Sequence, residues 1–470
     1  MIDAPTLVTD AVVVVSAFII GVGLLQNLLY AAELIIAGVA LASRPPLTQS
    51  RKLWQRTSGV VPPISILMPA YNEEKTIVPA IRAILSLEYP DFEVIVIDDG
   101  SRDATLAAIH AAFELSPSTR SIDDAVRHKP LLGVYTAARS QQLVVIAKQN
   151  GGKADALNAG INAARSPLFC AIDADSLLES DALLRAVQPF VKDPLRTMAV
   201  GGTIRILNGC KTRAGHVSEV ALPNNALALF QIIEYLRAFL MARLSLSRLG
   251  VLTIISGAFG IFRRQVAVSV GGYSTDTVGE DLELVIKIHR AMRDKGRDYR
   301  MEFIPEPVCW TEAPESLKVL GNQRRRWHRG ALEVFFKHSD MLLKPRYGRV
   351  AVLGIGQMLL VDVLGPIVEV LGYLLIPLFY ALGWLSMHYL LAFVAVTFAF
   401  GVFLSVGSLV LEELELRRYP RPRDLAILTC AAIAENFGYR QINNIWRLQG
   451  FWQFVCGTKG WGPMTARLGT

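Results

Sequence analysis

Five short clusters of polar residues in this 470-residue chain could do chemistry together. Asp98-Asp99-Gly100-Ser101 and Asp173-Ala174-Asp175 each follow an apolar run, so each sets carboxylates where a strand ends. Carboxylates are hard oxygen ligands, and two such clusters converging on one crevice suit Mg²⁺ or Mn²⁺ bridging a diphosphate. Taken singly, each also fits an ordinary turn, because Asp, Gly and Ser favour turns and helix N-caps. The run from Lys148 to Asn158 sets Gly151 and Gly152 before Lys153 at a helix start. Free backbone N–H groups and the helix dipole favour anions there, although a flexible turn with solvated lysines has the same composition. The GxxxxGK[ST] spacing of a Walker A loop is missing, which rules that motif out without excluding a diphosphate ligand. Gly279-Glu280-Asp281 begins a helical pattern through Leu282, Val285, Ile286 and His289, and Thr277 with Glu280 fits a capping box. In Gln323-Arg324-Arg325-Arg326-Trp327 the arginines fit a solvated basic face. Trp327 stands out, because an indole can stack on a sugar ring or sit at a membrane interface.

These clusters need a scaffold, and the surrounding residues supply one. Ile64 to Met68, Val94 to Ile97, Leu143 to Ile146 and Leu168 to Ile172 are short apolar runs that read as buried strands. Helical patterns follow the first three, through Ile77, Ile81 and Ile84, from Ala104 to Phe113, and from Lys153 to Ala164. Such alternation implies a parallel sheet with helices on both faces, which binds ligands beyond the carboxyl ends of its strands. The acidic clusters lie at those ends. Leu249 to Phe262 is apolar but too short to span a bilayer, and reads as buried strand and turn. Cys309 reads as buried packing, and His328 as structural or surface rather than part of a site.

The ends of the chain are different in kind. Ala11 to Ser43 carries one charge, Glu33, and Val370 to Leu411 carries no Asp, Glu, Lys or Arg. A span needs about 20 apolar residues, so the first is a membrane helix and the second two spans joined by a tight turn at Gly383-Trp384. Val350 to Pro366 is expected to lie flat on the membrane before them, and Leu425 to Gly438 is too short to cross alone. Arg44, Arg51, Lys52 and Arg56, then Lys344, Arg346 and Arg349, then Arg417, Arg418, Arg421 and Arg423 flank these segments. The positive-inside tendency sets all three groups in the cytoplasm, with the middle of the chain. Arg440, Arg447, Lys459 and Arg467 also favour that side, which conflicts with a full span from residue 425. Asp362, Glu369 and Glu435 lie in or beside apolar segments, where acids usually face a polar path.

Composition agrees with this division. Hydrophobic residues make up 52% and charged residues 19%, against about 25% charge in soluble domains. The five cysteines form no CxxC pair and the seven histidines no HExxH, so neither a disulfide framework nor a zinc motif is visible. The net charge of +7 reads first as membrane topology, with no nucleic acid expected.

Together, Pro69-Ala70-Tyr71-Asn72-Glu73, Asp98-Asp99-Gly100-Ser101, Gly151-Gly152-Lys153, Asp173-Ala174-Asp175, Gly279-Glu280-Asp281 and Gln323 to Trp327 resemble the family 2 inverting glycosyltransferases. The last matches the QxxRW signature of membrane polysaccharide synthases, such as those making cellulose, chitin, hyaluronan and poly-N-acetylglucosamine. The usual Thr-Glu-Asp is Gly-Glu-Asp here, with both carboxylates kept. The resemblance implies an α/β nucleotide-sugar-binding domain of GT-A type over 62–345. It stands between an N-terminal anchor and basic linker, 1–61, and interfacial and transmembrane helices with a basic tail, 346–470. It further implies that Tyr71, Asn72, Glu73 and Asp99 hold the nucleoside, with Asp98 beside them. Asp173 and Asp175 would bind nucleotide and Mg²⁺ or Mn²⁺, Lys153 would meet the diphosphate, and Asp281 would be the general base. Glu280, Gln323, Arg326 and Trp327 would line the substrate site, and Ser256 to Phe259 the acceptor.

The function this implies is a multi-pass enzyme of the inner membrane, its catalytic domain cytoplasmic. It would move sugar from a UDP-sugar to the growing end of a β-linked polysaccharide with inversion, coupled to export. The lipid bilayer is an expected partner, and an accessory export subunit a further one. The alternatives are a single-addition transferase using a lipid-linked acceptor, and a nonenzymatic membrane assembly subunit. Intact acidic clusters and QxxRW weigh against the last.

Overall fold

The computed structural model describes residues 4–43, 52, 58–138, 140–213, 215–415, 419 and 421–458. Among the flanking basic residues named above, Arg44, Arg51, Arg56, Arg417, Arg418, Lys459 and Arg467 lie outside the described residues.

Twelve strands are described: β1 (Ile64–Ala70), β2 (Phe92–Asp98), β3 (Leu115–Pro117), β4 (Leu131–Ala137), β5 (Ser140–Lys148), β6 (Leu168–Ile172), β7 (Leu177–Leu178), β8 (Thr197–Ile206), β9 (Lys211–Arg213), β10 (His216–Glu219), β11 (Phe259–Arg263) and β12 (Arg300–Thr311). Ten form one sheet in the order β3-β4-β5-β2-β1-β6-β11-β8-β12-β7, and β9 with β10 makes a separate ribbon. The four strands expected from the sequence are its centre, and all four are parallel. Their continuous apolar runs follow from burial on both faces. The register pairs Ala70 with Asp98 and Asp98 with Ala147, so β1, β2 and β5 end level at one rim of the sheet.

The expectation of a purely parallel sheet needs correction, because the sheet is mixed. β11 runs antiparallel to both β6 and β8. It enters the sheet from the rim where the central strands end, directly after the 251–258 loop, and so must run back the other way. The helix Lys153–Ala163 is buried along nearly its whole length beneath the sheet. Gly160 allows that approach, since a Cβ there would come within 3.0 Å of Ile97 and 3.2 Å of Leu67.

Among the described residues, three helices are long and apolar enough to cross a membrane: Asp10–Ala42, Val350–Ala381 and Met387–Leu414. The turn at Gly383-Trp384 separates the last two as expected. The segment 350–366 is no separate element. It continues through two π-helical stretches, Val350–Ile355 and Met358–Leu364, into the helix Gly365–Ala381. Pro366 falls where the second π-helical stretch passes into that helix.

The tail also resolves. Pro422–Ala434 covers only 13 residues and packs on the helices Ala226–Tyr235 and Phe400–Glu415. The helix Tyr439–Val455 then lies along Leu317–His338 of the middle domain. Arg440 and Arg447 of this helix face Glu369 and Asp362 in the apolar helix Val350–Ala381.

Buried ion pairs tie the apolar helices to the domain. Arg205 of β8 donates to Glu412, and Arg237 to Glu435, which also accepts from the Ser405 hydroxyl. Both partners of the Arg205–Glu412 pair are nearly inaccessible to water. Removing one member of such a pair strands the other charge, at a cost of about 3–5 kcal/mol, whereas apolar replacement of both is often neutral. Glu412→Gln should therefore lower the thermal unfolding midpoint markedly in detergent or nanodiscs. The double variant Arg205→Met with Glu412→Leu should recover most of that loss.

Candidate active site

The rim where β1, β2, β5 and β6 end carries the chemistry. Two turns there are clasped together by short side chains. Beyond β1, the backbone of Asn72 adopts a left-handed conformation, with φ of 59°. Its N–H donates to the Ser101 hydroxyl at 3.0 Å, and its side-chain oxygen accepts from the Arg102 N–H at 2.8 Å. The Glu73 N–H donates to the Thr105 hydroxyl at 2.8 Å, and the Thr76 hydroxyl donates to the Glu73 carboxylate at 2.5 Å. Tyr71 stands 43% exposed above this clasp. Asp98 is buried beneath it, accepting from the Ser101 N–H, and burial pushes its carboxyl above the usual range.

Asp99 looks inward. One oxygen accepts from the Lys148 amine at 2.5 Å, and the other from the Gly152 N–H at 2.7 Å and the Asn150 amide at 3.1 Å. The Gly151 N–H lies at 3.0 Å from the first oxygen. The Lys148 amine, with no exposed surface, is also 2.5 Å from Asp155. The carboxylate of Asp99 thus sets the glycine-rich turn that starts the Lys153–Ala163 helix. Gly100, at φ of 70°, is needed where the two strand ends meet, since a Cβ would come 2.9 Å from the Asn150 nitrogen.

Lys153 is the first residue of its helix, and its amine reaches across the cleft to the Asp173 carboxylate. Glu280 lies 3.9 Å from the same amine. Gly257 marks how tightly the parts converge: a Cβ there would lie 2.8 Å from the Lys153 amine and 3.6 Å from an Asp281 oxygen. The Gly257 N–H donates to that Asp281 oxygen at 3.0 Å, while the other oxygen accepts from the Leu282 N–H at 2.7 Å. Asp175 is pushed up to about 7 by burial, with the charges of Asp173 and Glu73 adding and Lys153 opposing. Burial likewise lifts Glu280 to about 7, against the pull of Lys153.

The capping box is not formed. The helix Glu280–Asp294 starts directly after Gly279, so Glu280 stands at its first position rather than its third. Thr277 instead donates to Glu333 at 2.9 Å and accepts from the Gly279 N–H at 3.0 Å. Gly279 meets the Gly330 backbone directly, where a Cβ would lie only 3.1 Å away. This contact lays Leu317–His338 across the start of the Glu280 helix. Arg326 thereby faces the cluster: burial lowers its guanidinium, and the charges of Glu280, Asp173 and Asp281 oppose that.

The other residues of this arginine-rich segment point elsewhere. Arg324 is buried and donates to Glu234 at 2.7 Å, so it is no solvated face. Its guanidinium lies over the Trp327 ring, 4.4 Å from the centroid, and Trp327 remains 44% exposed. Gln323 keeps a buried side-chain oxygen with no partner. His328 is buried beside Arg447 and held neutral, pushed down to about 3 by burial, and Cys309 is buried as expected.

The cleft therefore gathers Glu73, Asp173, Asp175, Glu280 and Asp281 against Lys153 and Arg326. That surplus of carboxylate suits a divalent cation. Among the described residues, no three acidic, His or Cys side chains converge closely enough to hold a metal unaided. A diphosphate would supply the missing oxygens, as is usual for Mg²⁺. A cavity of about 280 Å³ lies between the apolar helices, and its lining mixes apolar residues with Glu234, Arg237, Glu369, Asn443, Asn444 and Arg447.

Sequence reasoning missed Lys148, Asp155 and the Gly279–Gly330 contact. A lysine closing the apolar strand Leu143–Ala147 was the available signal for Lys148, because a cation there must be buried and paired.

Residues 65–271 match the family described as glycosyl transferase family 2. The poly-beta-1,6-N-acetyl-D-glucosamine synthases of Staphylococcus epidermidis and Staphylococcus aureus are each 30% identical to the chain over 283 residues, which is 60% of this chain and 58% of theirs. The chain thus spans less than two thirds of the length of those relatives. Among solved structures, a mannosyltransferase from Pyrobaculum calidifontis in complex with GDP-Man and Mn²⁺ superimposes with a TM-score of 0.56. That likeness covers 96% of this chain and 99% of the other at 17% identity, and it is one of fold. The mixed α/β sheet flanked by apolar helices is accordingly of GT-A type, and residues 65–271 form a family 2 glycosyltransferase domain.

Proposed function

We propose that the chain is a membrane polysaccharide synthase, which moves N-acetylglucosamine from a UDP donor to the end of a growing β-linked chain. The observation that carries this reading is the convergence of Lys153, Asp173, Asp175, Asp281 and Arg326 in one cleft of a domain that buried ion pairs tie to apolar helices. The names of the staphylococcal relatives support the choice of sugar.

In this mechanism Tyr71, Asn72 and Glu73 receive the nucleoside at the clasped rim. Asp173 and Asp175 would hold Mg²⁺ or Mn²⁺, which would supply positive charge to the diphosphate. Lys153 and Arg326 take up the negative charge that develops as the bond from the anomeric carbon to the phosphate oxygen breaks. Asp281 accepts the proton of the acceptor hydroxyl, whose oxygen attacks the anomeric carbon from the opposite face. The Gly257 N–H fixes the Asp281 carboxylate for that transfer. A single displacement inverts the centre, so an α-linked donor gives a β linkage. The polar walls of the cavity suit passage of a hydroxyl-rich chain across the bilayer.

The deciding experiment offers the purified, reconstituted chain a panel of UDP-sugars with Mg²⁺ or Mn²⁺. UDP release and product length are then read together. Release with UDP-N-acetylglucosamine and a ladder of long products is expected. A product one sugar longer than a lipid-linked acceptor would turn the reading to a single-addition transferase. EDTA should abolish UDP release, and either ion should restore it; undiminished turnover in EDTA would remove the metal.

Asp281→Asn preserves size but cannot take a proton, and transfer should fall about 10²–10⁴-fold, with UDP affinity nearly unchanged. Asp175→Asn should instead weaken UDP binding in the presence of metal. Equal loss of UDP affinity in both variants would contradict the division into donor and acceptor sides.

The domain's side of the membrane is tested by reporters placed after Lys52 and after Arg421. Both are expected in the cytoplasm, and opposite sides would break the proposed topology.

A further inference from the structure

Arg243 is the anomaly of this fold. Three other buried or half-buried arginines near the membrane helices each hold a carboxylate: Arg205 pairs with Glu412, Arg237 with Glu435 and Arg324 with Glu234. Arg243 pairs with none among the described residues, and two of its guanidinium nitrogens, Nε and Nη1, are shut off from solvent without a partner. Its one evident neighbour is the Phe239 ring, 3.8 Å below the guanidinium. A desolvated, unpaired cation is expensive, and an apolar side chain of similar shape would serve packing better.

Its position says what could complete it. Arg243 ends the π-helical stretch Leu236–Arg243, and such widened turns are frequent at functional sites. This stretch packs on the first apolar helix, on Phe400–Glu415, and on β8 and β12 of the sheet. It is the floor on which the domain meets the membrane helices. Arg237, Ala238, Met241 and Ala242 of the same stretch line the polar cavity. On the other side, burial pushes the Arg243 guanidinium down to about 10, and Asp281 is the first of the two groups whose charge opposes this. Arg243 thus directly follows the cavity-lining Met241 and Ala242, within reach of the Asp281 charge.

We propose that Arg243 binds the terminal sugar of the acceptor chain, its free N–H groups donating to hydroxyl or acetamide oxygens so that the attacking hydroxyl meets Asp281. This rests on the synthase reading above. The ligand is neutral, rich in acceptors and arrives through the cavity, which accounts for a guanidinium kept without an anion. The Phe239 ring holds the guanidinium plane in place when no chain is bound.

The test uses the full chain in nanodiscs, with Arg243→Met and Arg243→Lys. A residue that only supports the fold and one that waits for a ligand give opposite results in the empty protein. Arg243→Met should leave the thermal unfolding midpoint unchanged or higher, and UDP binding within about twofold. Transfer to an added β-linked N-acetylglucosamine oligomer should fall about tenfold or more, mainly through KM for the oligomer, with Arg243→Lys intermediate. A midpoint lowered by several degrees together with lost UDP binding would assign Arg243 to the fold. Oligomer transfer within twofold of wild type would equally overturn the proposal. A wild-type chain that transfers no sugar from any donor would instead bring down the synthase reading, which the variants alone cannot do.

Discussion

A single buried amine organises the donor side of this protein. Lys148 closes a strand in which the five residues before it, Leu143 to Ala147, are apolar, and its charge has no route to water. It is stable there because Asp99 and Asp155 meet it at 2.5 Å and the Gln149 carbonyl accepts from it at 2.6 Å. Asp99 belongs to the end of β2 and Asp155 to the first turn of the helix that Lys153 begins. One cation therefore welds three elements at the rim, and the spare valence of Asp99 orders the glycines between them. The conformation of Gly151-Gly152 is the by-product of neutralising Lys148, and the reach of Lys153 to Asp173 follows from it. The residues that face a ligand are positioned by residues that do not.

Much of this was legible in the sequence. The four central strands announce themselves as apolar runs, and a carboxylate placed directly after such a run has to sit at the rim. What lay hidden depends on contacts that leave no local pattern. β11 is apolar like its neighbours, and nothing in Phe259 to Arg263 says that it runs backwards. Thr277 and Glu280 have the spacing of a capping box, yet Glu333, distant in sequence, claims the threonine hydroxyl. The meeting of Gly279 with Gly330 is invisible because its signal is the absence of side chains. The same limit applies to the Arg324 to Arg326 run: three equal letters have different fates, since Arg324 finds Glu234 and Arg326 turns to the acidic cleft.

The acids in the apolar segments show how burial divides one residue type into different tasks. Glu435 is matched by Arg237 and Ser405, and Asp362 by Arg447 at 3.2 Å. Those two are struts. Glu369 accepts from Asn444 on the cavity wall, and its cation, Arg440, stands farther off at 4.0 Å. A charge in an apolar stretch is therefore informative only once its partner is known.

The helix Leu317–His338 carries Arg326 to the acidic cluster, and Tyr439–Val455 lies along it, with Arg325 bonded to Gln449 at 2.6 Å and Gly450 against the Arg325 backbone. The strand rim, the metal-suited carboxylates and Lys153 are all translated long before residue 439. The segment that braces the helix of Arg326 is translated only after the apolar helices at 350–381 and 387–414. Completion of the cleft is in this way chained to completion of the C-terminal helices. A chain cut short before residue 439 would keep the strand rim, its carboxylates and Lys153 while the helix that carries Arg326 stood without its brace.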